Sequence, residues 1–459
     1  MKRYDVIIIG SGAGSALLNG ALTRGLRTAL IDKGPVGGTC LNLGCIPSKM
    51  LITPADRIMQ IKEAAKLGIR AEIETIDFQG IMQRMRTSVG TERDAIRSSL
   101  RRASGLDFYE AQAEFVDDYV ISVAGQRIKG RKIFIASGAR PYLPPIEGLQ
   151  QTGFLTNESL LQLRELPESL IIVGGGYIAA EYAHFFAAMG VRVCLLQRAG
   201  RLLTDEEPDI STLLEAQMAR RMEVHTNMEV TAASAGASHC TVVARAGKTG
   251  ESRTFTAEKI LVAADRTSNA DLLNVSRTGV RTDANGYIRV DDYLQTSQKN
   301  IFAFGDAIGK HMFRHAANYQ AQLAWQNAMD GDRLAMNERA VPHAVFSYPQ
   351  IASVGLTEAV ARSSYDDVLV GMAAYTEVAK GQAMMADKAF AKTVVRRSTG
   401  EILGFHIIGP QAAILIQEVV NAMATAGTVM PIIHAMHIHP ALSELIQAAI
   451  GNLRDPGEA

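Results

Sequence analysis

The first strongly apolar stretch, Asp5-Val6-Ile7-Ile8-Ile9, runs straight into Gly10-Ser11-Gly12-Ala13-Gly14-Ser15. A short continuous apolar run predicts a strand buried on both faces, as in a parallel sheet. A helical stretch follows, then a second strand, Thr28-Ala29-Leu30-Ile31-Asp32. The same order recurs later. Leu170-Ile171-Ile172-Val173 leads into Gly174-Gly175-Gly176-Tyr177-Ile178-Ala179, a helix from about Ala180 to Met189, and a strand over Val191–Gln197. Each unit is strand, glycine turn, helix, strand. Such a βαβ unit sets a pyrophosphate on a helix N-terminus, and its glycines let the backbone approach the phosphates. Two units imply two dinucleotides. Further on, Arg84–Arg102 predicts a charged, solvated helix, and Ala344–Tyr348 a strand.

The two units differ at the end of their second strands. Asp32 stands 22 residues after Gly10, where a carboxylate accepts hydrogen bonds from an adenosine ribose. The matching position of the second unit is Gln197, followed by Arg198 and, after two more residues, Arg201. There no acid repels a 2′-phosphate and guanidiniums are at hand to bind one, which favours NADPH over NADH. Ser15 and Ala179 replace the third glycine of each turn, and both are small enough for close helix–strand packing.

Composition narrows the classes. A chain of 459 residues with 47% hydrophobic and 20% charged residues predicts a large globular protein of two to four domains. Net charge is zero and no basic block occurs, so nucleic-acid binding has no electrostatic footprint. No run of about 18 apolar residues predicts a membrane helix, and the N-terminus reads as a strand and not a signal peptide. Four cysteines fit a reducing, cytoplasmic setting. Cys194 and Cys240 read as ordinary thiols, and no metal is expected.

The other two, Cys40 and Cys45, lie in Gly37-Gly38-Thr39-Cys40-Leu41-Asn42-Leu43-Gly44-Cys45-Ile46-Pro47-Ser48-Lys49. In a regular helix, residues five apart have Cα atoms roughly 8–9 Å from each other. A disulfide needs less than about 7 Å. The pair can therefore close only in a distorted helix, which Gly44 and Pro47 are suited to provide. A disulfide in an irregular turn is a reducible one. From spacing alone, metal ligands or idle thiols remain alternatives.

Taken together, these segments resemble the flavoprotein disulfide reductases of the pyridine nucleotide-disulfide oxidoreductase class, closest to dihydrolipoamide dehydrogenase and mycothione reductase. The resemblance rests on the Gly10 turn, the Cys40–Lys49 motif, Ala136-Ser137-Gly138-Ala139-Arg140-Pro141, the Gly174 turn through Glu181, Gly305-Asp306, Pro349 through Glu358, and His439-Pro440 with Glu444. It covers essentially the whole chain. It implies an α/β fold with two Rossmann-like domains, for FAD and NAD(P), and a C-terminal α/β dimerisation domain. The expected boundaries are 1–146 and 268–338 for FAD, 147–267 for NAD(P), and 339–459 for the interface. It also implies a homodimer with shared active sites.

The resemblance further implies roles. Cys45 is the sulfur nearest the flavin and Cys40 the outer sulfur that meets substrate. His439 is the acid–base catalyst and Glu444 its orienting group; Pro440 suits the first turn of a helix, with His439 just before it. Lys49 and Glu181 are a pair beside the flavin, and Tyr177 gates it. Cofactor contacts are implied for Gly10, Gly12, Gly14, Ser15, Asp32, Lys33, Gly38, Thr39, Ser137, Gly138, Gly305 and Asp306, and on the nicotinamide side for Gly174, Gly176, Tyr177, Ile178, Gln197, Arg198 and Arg266.

One departure stands out: Asp265 occupies a position where the family usually has glycine, which predicts weakened nucleotide affinity. The C-terminal stretch carries no cysteine, which points away from mercuric reductase and the large thioredoxin reductases. No arginine follows Ser15 until Arg24, so a glutathione-type carboxylate clamp lacks support. The expected substrate is a small dithiol or disulfide, with dihydrolipoamide favoured, either alone or as a lipoyl group carried on a protein. The alternative is an NADPH-dependent reductase of a disulfide such as mycothione or glutathione. A flavin NAD(P)H oxidase or quinone reductase, or a non-catalytic binding role, stands behind these.

Overall fold

The computed structural model describes residues 1–456; Gly457, Glu458 and Ala459, the end of the expected C-terminal domain, lie outside the described residues. The chain divides into two compact units. One comprises Met1–Met50, Gly80–Tyr142 and Asp265–Met336, the other Leu51–Gln79, Leu143–Ala264 and Asn337–Ala459.

The first unit is built on a mixed sheet. Its spatial order is Leu106–Glu110, Thr28–Asp32, Lys2–Ile9, Gln126–Ile135, Val120–Val123, Ala113–Asp117, with Ile301–Ala303 also pairing Gln126–Ile135. Neighbours around Lys2–Ile9 are parallel; the last two strands of the path form antiparallel hairpins. The apolar run reads as expected. Ile7 and Ile9 enter the core on one face, Val6 and Ile8 that on the other. Each buried side chain of this size contributes about 1.5–3 kcal/mol, so a one-residue slip in register is strongly disfavoured.

The second unit carries a four-stranded parallel sheet, in the order Glu223–His225, Arg192–Leu196, Ser169–Val173, Lys259–Val262. A three-stranded antiparallel sheet over Met228–Ala257 packs on it, burying Ile171, Val173 and Leu196 against Met228, Val242 and Ala244. The helix Tyr177–Ala188 is buried on nearly every side. The C-terminal part is a five-stranded antiparallel sheet, with Pro342–Val345, Ile351–Gly355, Ile402–Ile408, Phe390–Arg396 and Val368–Ala374 in spatial order. The helices Ala412–Thr425 and Glu444–Gly451 contribute to its core.

Three local expectations are corrected. The strand expected to reach Tyr348 ends at Val345, because the Phe346 N–H donates to Glu181 Oε1 at 3.1 Å and not to the sheet. Pro440 does not sit in a first helical turn: the last helix begins only at Glu444. The charged segment after Arg84 belongs to a longer helix, Phe78–Arg102, that buries a stripe of Phe78, Met82, Met85, Val89 and Leu100 and solvates the rest. Among the described residues, no helix is long and apolar enough to cross a membrane.

Candidate functional site

The two glycine turns are near copies of each other. Gly10 N–H donates to Ile31 O at 2.8 Å, and Gly174 N–H to Leu196 O at 2.9 Å. Both glycines have positive φ, 103° and 121°. A Cβ on Gly10 would meet Ala136 O at 2.1 Å; on Gly174 it would meet Ala263 O at 2.2 Å. Each turn is thus pressed against the strand end that follows in the sheet, and only glycine fits. Gly14 would drive a Cβ into Ile8 at 2.8 Å, and Ala179, which matches Ser15, is fully buried. Ser15 keeps its hydroxyl occupied by donating to Ser11 O at 2.6 Å. The first turn differs in one respect: the chain starts as a tight helix over Ala13–Leu17 before becoming α-helical at Leu18–Thr23, whereas Tyr177–Ala188 is α-helical throughout.

Asp32 organises this first turn from behind. Its Oδ2 accepts the Ser11 N–H at 2.6 Å and the Ser11 hydroxyl, and its Oδ1 accepts the Gly34 N–H at 2.7 Å. Lys33 beside it is exposed. Gly38 and Gly12 face each other so closely that a Cβ on Gly38 would lie 2.6 Å from Gly12 Cα. Thr39 follows in the short helix Gly38–Asn42. Ser137 has a buried Oγ with no hydrogen-bond partner, and the space a Cβ on Gly138 would enter is open. Asp306 lies in the turn Gly305–Ile308, and its carboxyl is pushed upward by burial, with Arg266 acting against that. Arg266 Nε stands 3.4 Å from Asp306 Oδ2, and its Nη2 donates to Ala139 O at 2.6 Å. Asp265 turns its Oδ1 onto the Arg266 N–H at 2.7 Å.

Cys40 lies in the middle of the short helix Gly38–Asn42 and Cys45 opens the next, Cys45–Glu63. Leu43 and Gly44 separate them, so the helix is broken where the spacing required it. As thiols the two are hydrogen-bonded, and that bond, together with burial, pushes Cys40 above the ordinary thiol range; the Arg314 guanidinium pulls the other way. Arg314 also approaches Gly12: a Cβ there would lie 3.7 Å from Arg314 Nη1. No sequence pattern marked this residue. Lys49 follows one turn after Cys45.

In the second unit, Glu181 is buried, while Tyr177 and Ile178 open the helix half-exposed. Gln197 packs under Gly175, whose Cβ would lie 2.8 Å from its side chain, and donates to Arg201 O at 3.3 Å. Arg198 is exposed and Gly176 faces open space. Near the end of the chain, His439 Nδ1 stands 2.8 Å from Glu444 Oε1. The Ala441 N–H and then the His439 ring hold the Glu444 carboxyl below its usual range. An ionised carboxylate only accepts, so Nδ1 carries the proton and Nε2 offers its lone pair. A second pair, His437 Nε2 with Glu418 Oε1 at 2.6 Å, was not singled out from sequence.

Comparison with known proteins agrees with this geometry. Residues 4–322 match the model described as pyridine nucleotide-disulphide oxidoreductase, and residues 341–450 match the dimerisation domain of the same family. Mycothione reductase of Mycobacterium tuberculosis is 34% identical, covering 99% of this chain and 100% of that protein. Dihydrolipoyl dehydrogenase of Bacillus subtilis is 31% identical, covering 97% of each. The solved structure of the HOCl-induced flavoprotein disulfide reductase RclA from Escherichia coli superposes with a TM-score of 0.87 at 28% identity, covering 98% of this chain and 99% of that one. The family works with FAD and NAD(P), and its dimerisation domain implies a homodimer. The chain belongs to the pyridine nucleotide-disulphide oxidoreductases and is a flavoprotein disulfide oxidoreductase.

Proposed function

We propose that this protein passes electrons between a small dithiol/disulfide couple and NAD(P) through Cys40 and Cys45, with dihydrolipoamide the favoured dithiol. The observation that carries the reading is the hydrogen-bonded Cys40–Cys45 pair set across a break between two helices. Lipoamide is favoured by the segment His437–Glu444, which resembles that of dihydrolipoamide dehydrogenase. A second reading, an NADPH-dependent reductase of a low-molecular-weight disulfide, is favoured by Gln197 and exposed Arg198 at the strand end where an acid would reject a 2′-phosphate.

The residues around the first turn fit FAD: the Gly10–Gly12–Gly38 cradle admits a close backbone approach, and Ser137 Oγ is a buried hydroxyl in need of a partner. Bound FAD supplies a two-electron relay between dithiol and nicotinamide. The chain does the rest. Asp306 and Asp32 supply carboxylates for the ribityl and ribose hydroxyls. Lys49 would supply a cation beside the ring. Gly174, Gly176 and Ile178 would hold the pyrophosphate of the nicotinamide nucleotide, with Tyr177 at the start of the same helix as the candidate gate.

At the dithiol, His439 of the partner subunit takes a proton at Nε2 from a substrate thiol. The thiolate attacks Cys40 Sγ; the Cys40–Cys45 bond breaks and Cys45 leaves as thiolate. The second substrate thiol attacks the substrate sulfur of the mixed disulfide and releases Cys40, its proton passing to the departing Cys40 sulfur. Substrate is oxidised by two electrons and the cysteine pair reduced by two. The reductase direction reverses each step.

Anaerobic titration with dihydrolipoamide, NADH and NADPH tests both readings. Rapid reduction by dihydrolipoamide, reversed by NAD+, supports the first. Reduction by NADPH alone, with lipoamide inert, selects the second. Reduction by nicotinamide with no transfer to any disulfide overturns both in favour of an oxidase.

A further inference from the structure

We propose that Cys194, Glu223 and His225 form a binding site for a divalent cation of the Zn²⁺ class, independent of the redox chemistry. Cys194 lies on the strand Arg192–Leu196, and both partners on the neighbouring strand Glu223–His225. The parallel register puts Glu223 opposite Cys194 and His225 two residues on. Residues i and i+2 of a strand share a face, so the three side chains project from one side of the sheet. Their sulfur, carboxylate oxygen and ring nitrogen all lie within 4.8 Å of one another. His225 Nε2 and Glu223 Oε2 are already 3.3 Å apart.

The donor set selects the ion. One thiolate, one imidazole and one carboxylate suit Zn²⁺ with a fourth position left to water. Mg²⁺ and Ca²⁺ demand all-oxygen shells, and Cu⁺ a richer set of sulfurs. Ligand atoms around tetrahedral Zn²⁺ sit about 3.5 Å apart, so the trio must close by roughly 1 Å. Glu223 can do this, since its side chain is 70% exposed. His225 is held from behind: its ring packs on Phe255 with centroids 5.0 Å apart. Its carbonyl accepts the Gln197 N–H at 2.9 Å.

Without metal, burial and the neighbouring Glu223 push the Cys194 thiol up to about 12. In its thiol form Cys194 carries a proton that a bound cation displaces. Binding replaces it: the S–H bond breaks, a metal–sulfur bond forms, one proton goes to solvent, and nothing is oxidised. Affinity therefore rises with pH. Arg253, stacked on Phe255 at 5.5 Å, is the opposing charge; the Arg253→Gln variant should bind more tightly.

The test uses the FAD-loaded dimer with Cys40 and Cys45 oxidised, which leaves Cys194 and Cys240 as the only thiols. Co²⁺ serves as the spectroscopic probe and Zn²⁺ as the calorimetric one. The expected result is one ion per chain, a thiolate-to-Co²⁺ band in the difference spectrum, and one proton released per Zn²⁺ across buffers. Cys194→Ser should abolish the band and Cys240→Ser keep it. Glu223→Gln and His225→Gln, both on an edge strand, should weaken Zn²⁺ at least tenfold. No band, or a band that survives Cys194→Ser, overturns the site; so does unchanged affinity in both edge-strand variants.

Discussion

His439 Nδ1 lies 2.8 Å from Glu444 Oε1, while the other oxygen of that carboxylate accepts the Ala441 N–H at 3.0 Å. Glu444 is the first residue of its helix, where a negative charge is favoured. It is therefore fixed by backbone and helix end before it orients the imidazole. Glu444→Gln keeps the size but no longer dictates which nitrogen holds the proton. The variant should lose about 10²-fold in kcat for the dithiol, with substrate-independent reduction by nicotinamide unchanged. A loss under about threefold would remove Glu444 from the mechanism.

Cys45→Ser and Cys40→Ser should separate the two sulfurs. Both should abolish dithiol turnover. Only Cys45→Ser should remove the long-wavelength thiolate–flavin band of the two-electron-reduced enzyme, if Cys45 is the inner sulfur. A band retained in Cys45→Ser and lost in Cys40→Ser would reverse the assignment; full turnover in either variant would point to an oxidase.

Gly10→Ala and Gly25→Ala compare two glycines of positive φ. At Gly25 a Cβ meets nothing within 4 Å, so only the left-handed backbone is strained, at a cost of about 1 kcal/mol. At Gly10 the new atom strikes Ala136 O. The Gly10 variant should melt well below the Gly25 variant and lose flavin on gel filtration. Equal melting temperatures would show that the turn can yield.

His343 and Glu206 give a pH dependence. Burial presses the His343 pKa down, but the Glu206 carboxylate at 2.5 Å outweighs it, and the pKa ends raised. Burial presses Glu206 up, yet His343 and Ser353 leave it lowered. The sign follows for each. The His343 contribution is complete below its unfolded value, about 6.5, and is lost as pH rises through its raised folded value. The Glu206 contribution is present above about 4.3 and is lost as pH falls through its lowered value. The pair thus stabilises most between about pH 4.3 and 6.5. His406 works against it: burial lowers its pKa, so acid costs stability there. His343→Gln should lower the melting temperature more at pH 5.5 than at pH 8.5, and His406→Gln should show the opposite trend. A pH-independent difference for His343→Gln would refute the pairing.

Asp265→Gly should lower KM for the nicotinamide nucleotide. The carboxylate is presently folded onto the Arg266 N–H, and the gain expected comes from removing its negative charge. An unchanged KM would refute this effect of Asp265.

Much of this was readable in the sequence because the signals are local. A strand buried on both faces is an apolar run, and a turn pressed on a carbonyl must be glycine, so Ile7, Gly10 and Gly174 declare themselves. The break between Cys40 and Cys45 followed from their spacing once the pair was read as a disulfide, with Gly44 and Pro47 suited to provide it. What escaped depends on distant partners. The strand after Pro342 stops early because Glu181, 165 residues away, captures an amide. Arg314 reaches the dithiol only through the fold. The Cys194–Glu223–His225 trio requires a strand register that no spacing reveals; the one clue was an acid and a histidine two apart before a turn. Pro440 misled because proline suits a helix start, yet Glu444, with its anchored carboxylate, supplies that start instead.

Glu206 and Glu207 precede the helix Pro208–Met218, and both are buried. Glu206 is held by His343 and Ser353, and Glu207 by Lys392 at 3.0 Å and the Glu358 N–H. All these partners come from the C-terminal antiparallel sheet and from the start of the helix Glu358–Ser364. Removing one side of such a pair leaves a buried charge uncompensated, at about 3–5 kcal/mol. The C-terminal region is therefore not an interchangeable cassette. A chimera that grafts in a relative's C-terminal sheet should fold only if that sheet brings its own basic and hydroxyl partners, or if Glu206 and Glu207 are exchanged along with it. Recombination of this chain would then be constrained by two adjacent acids that lie outside its glycine turns and its cysteine pair.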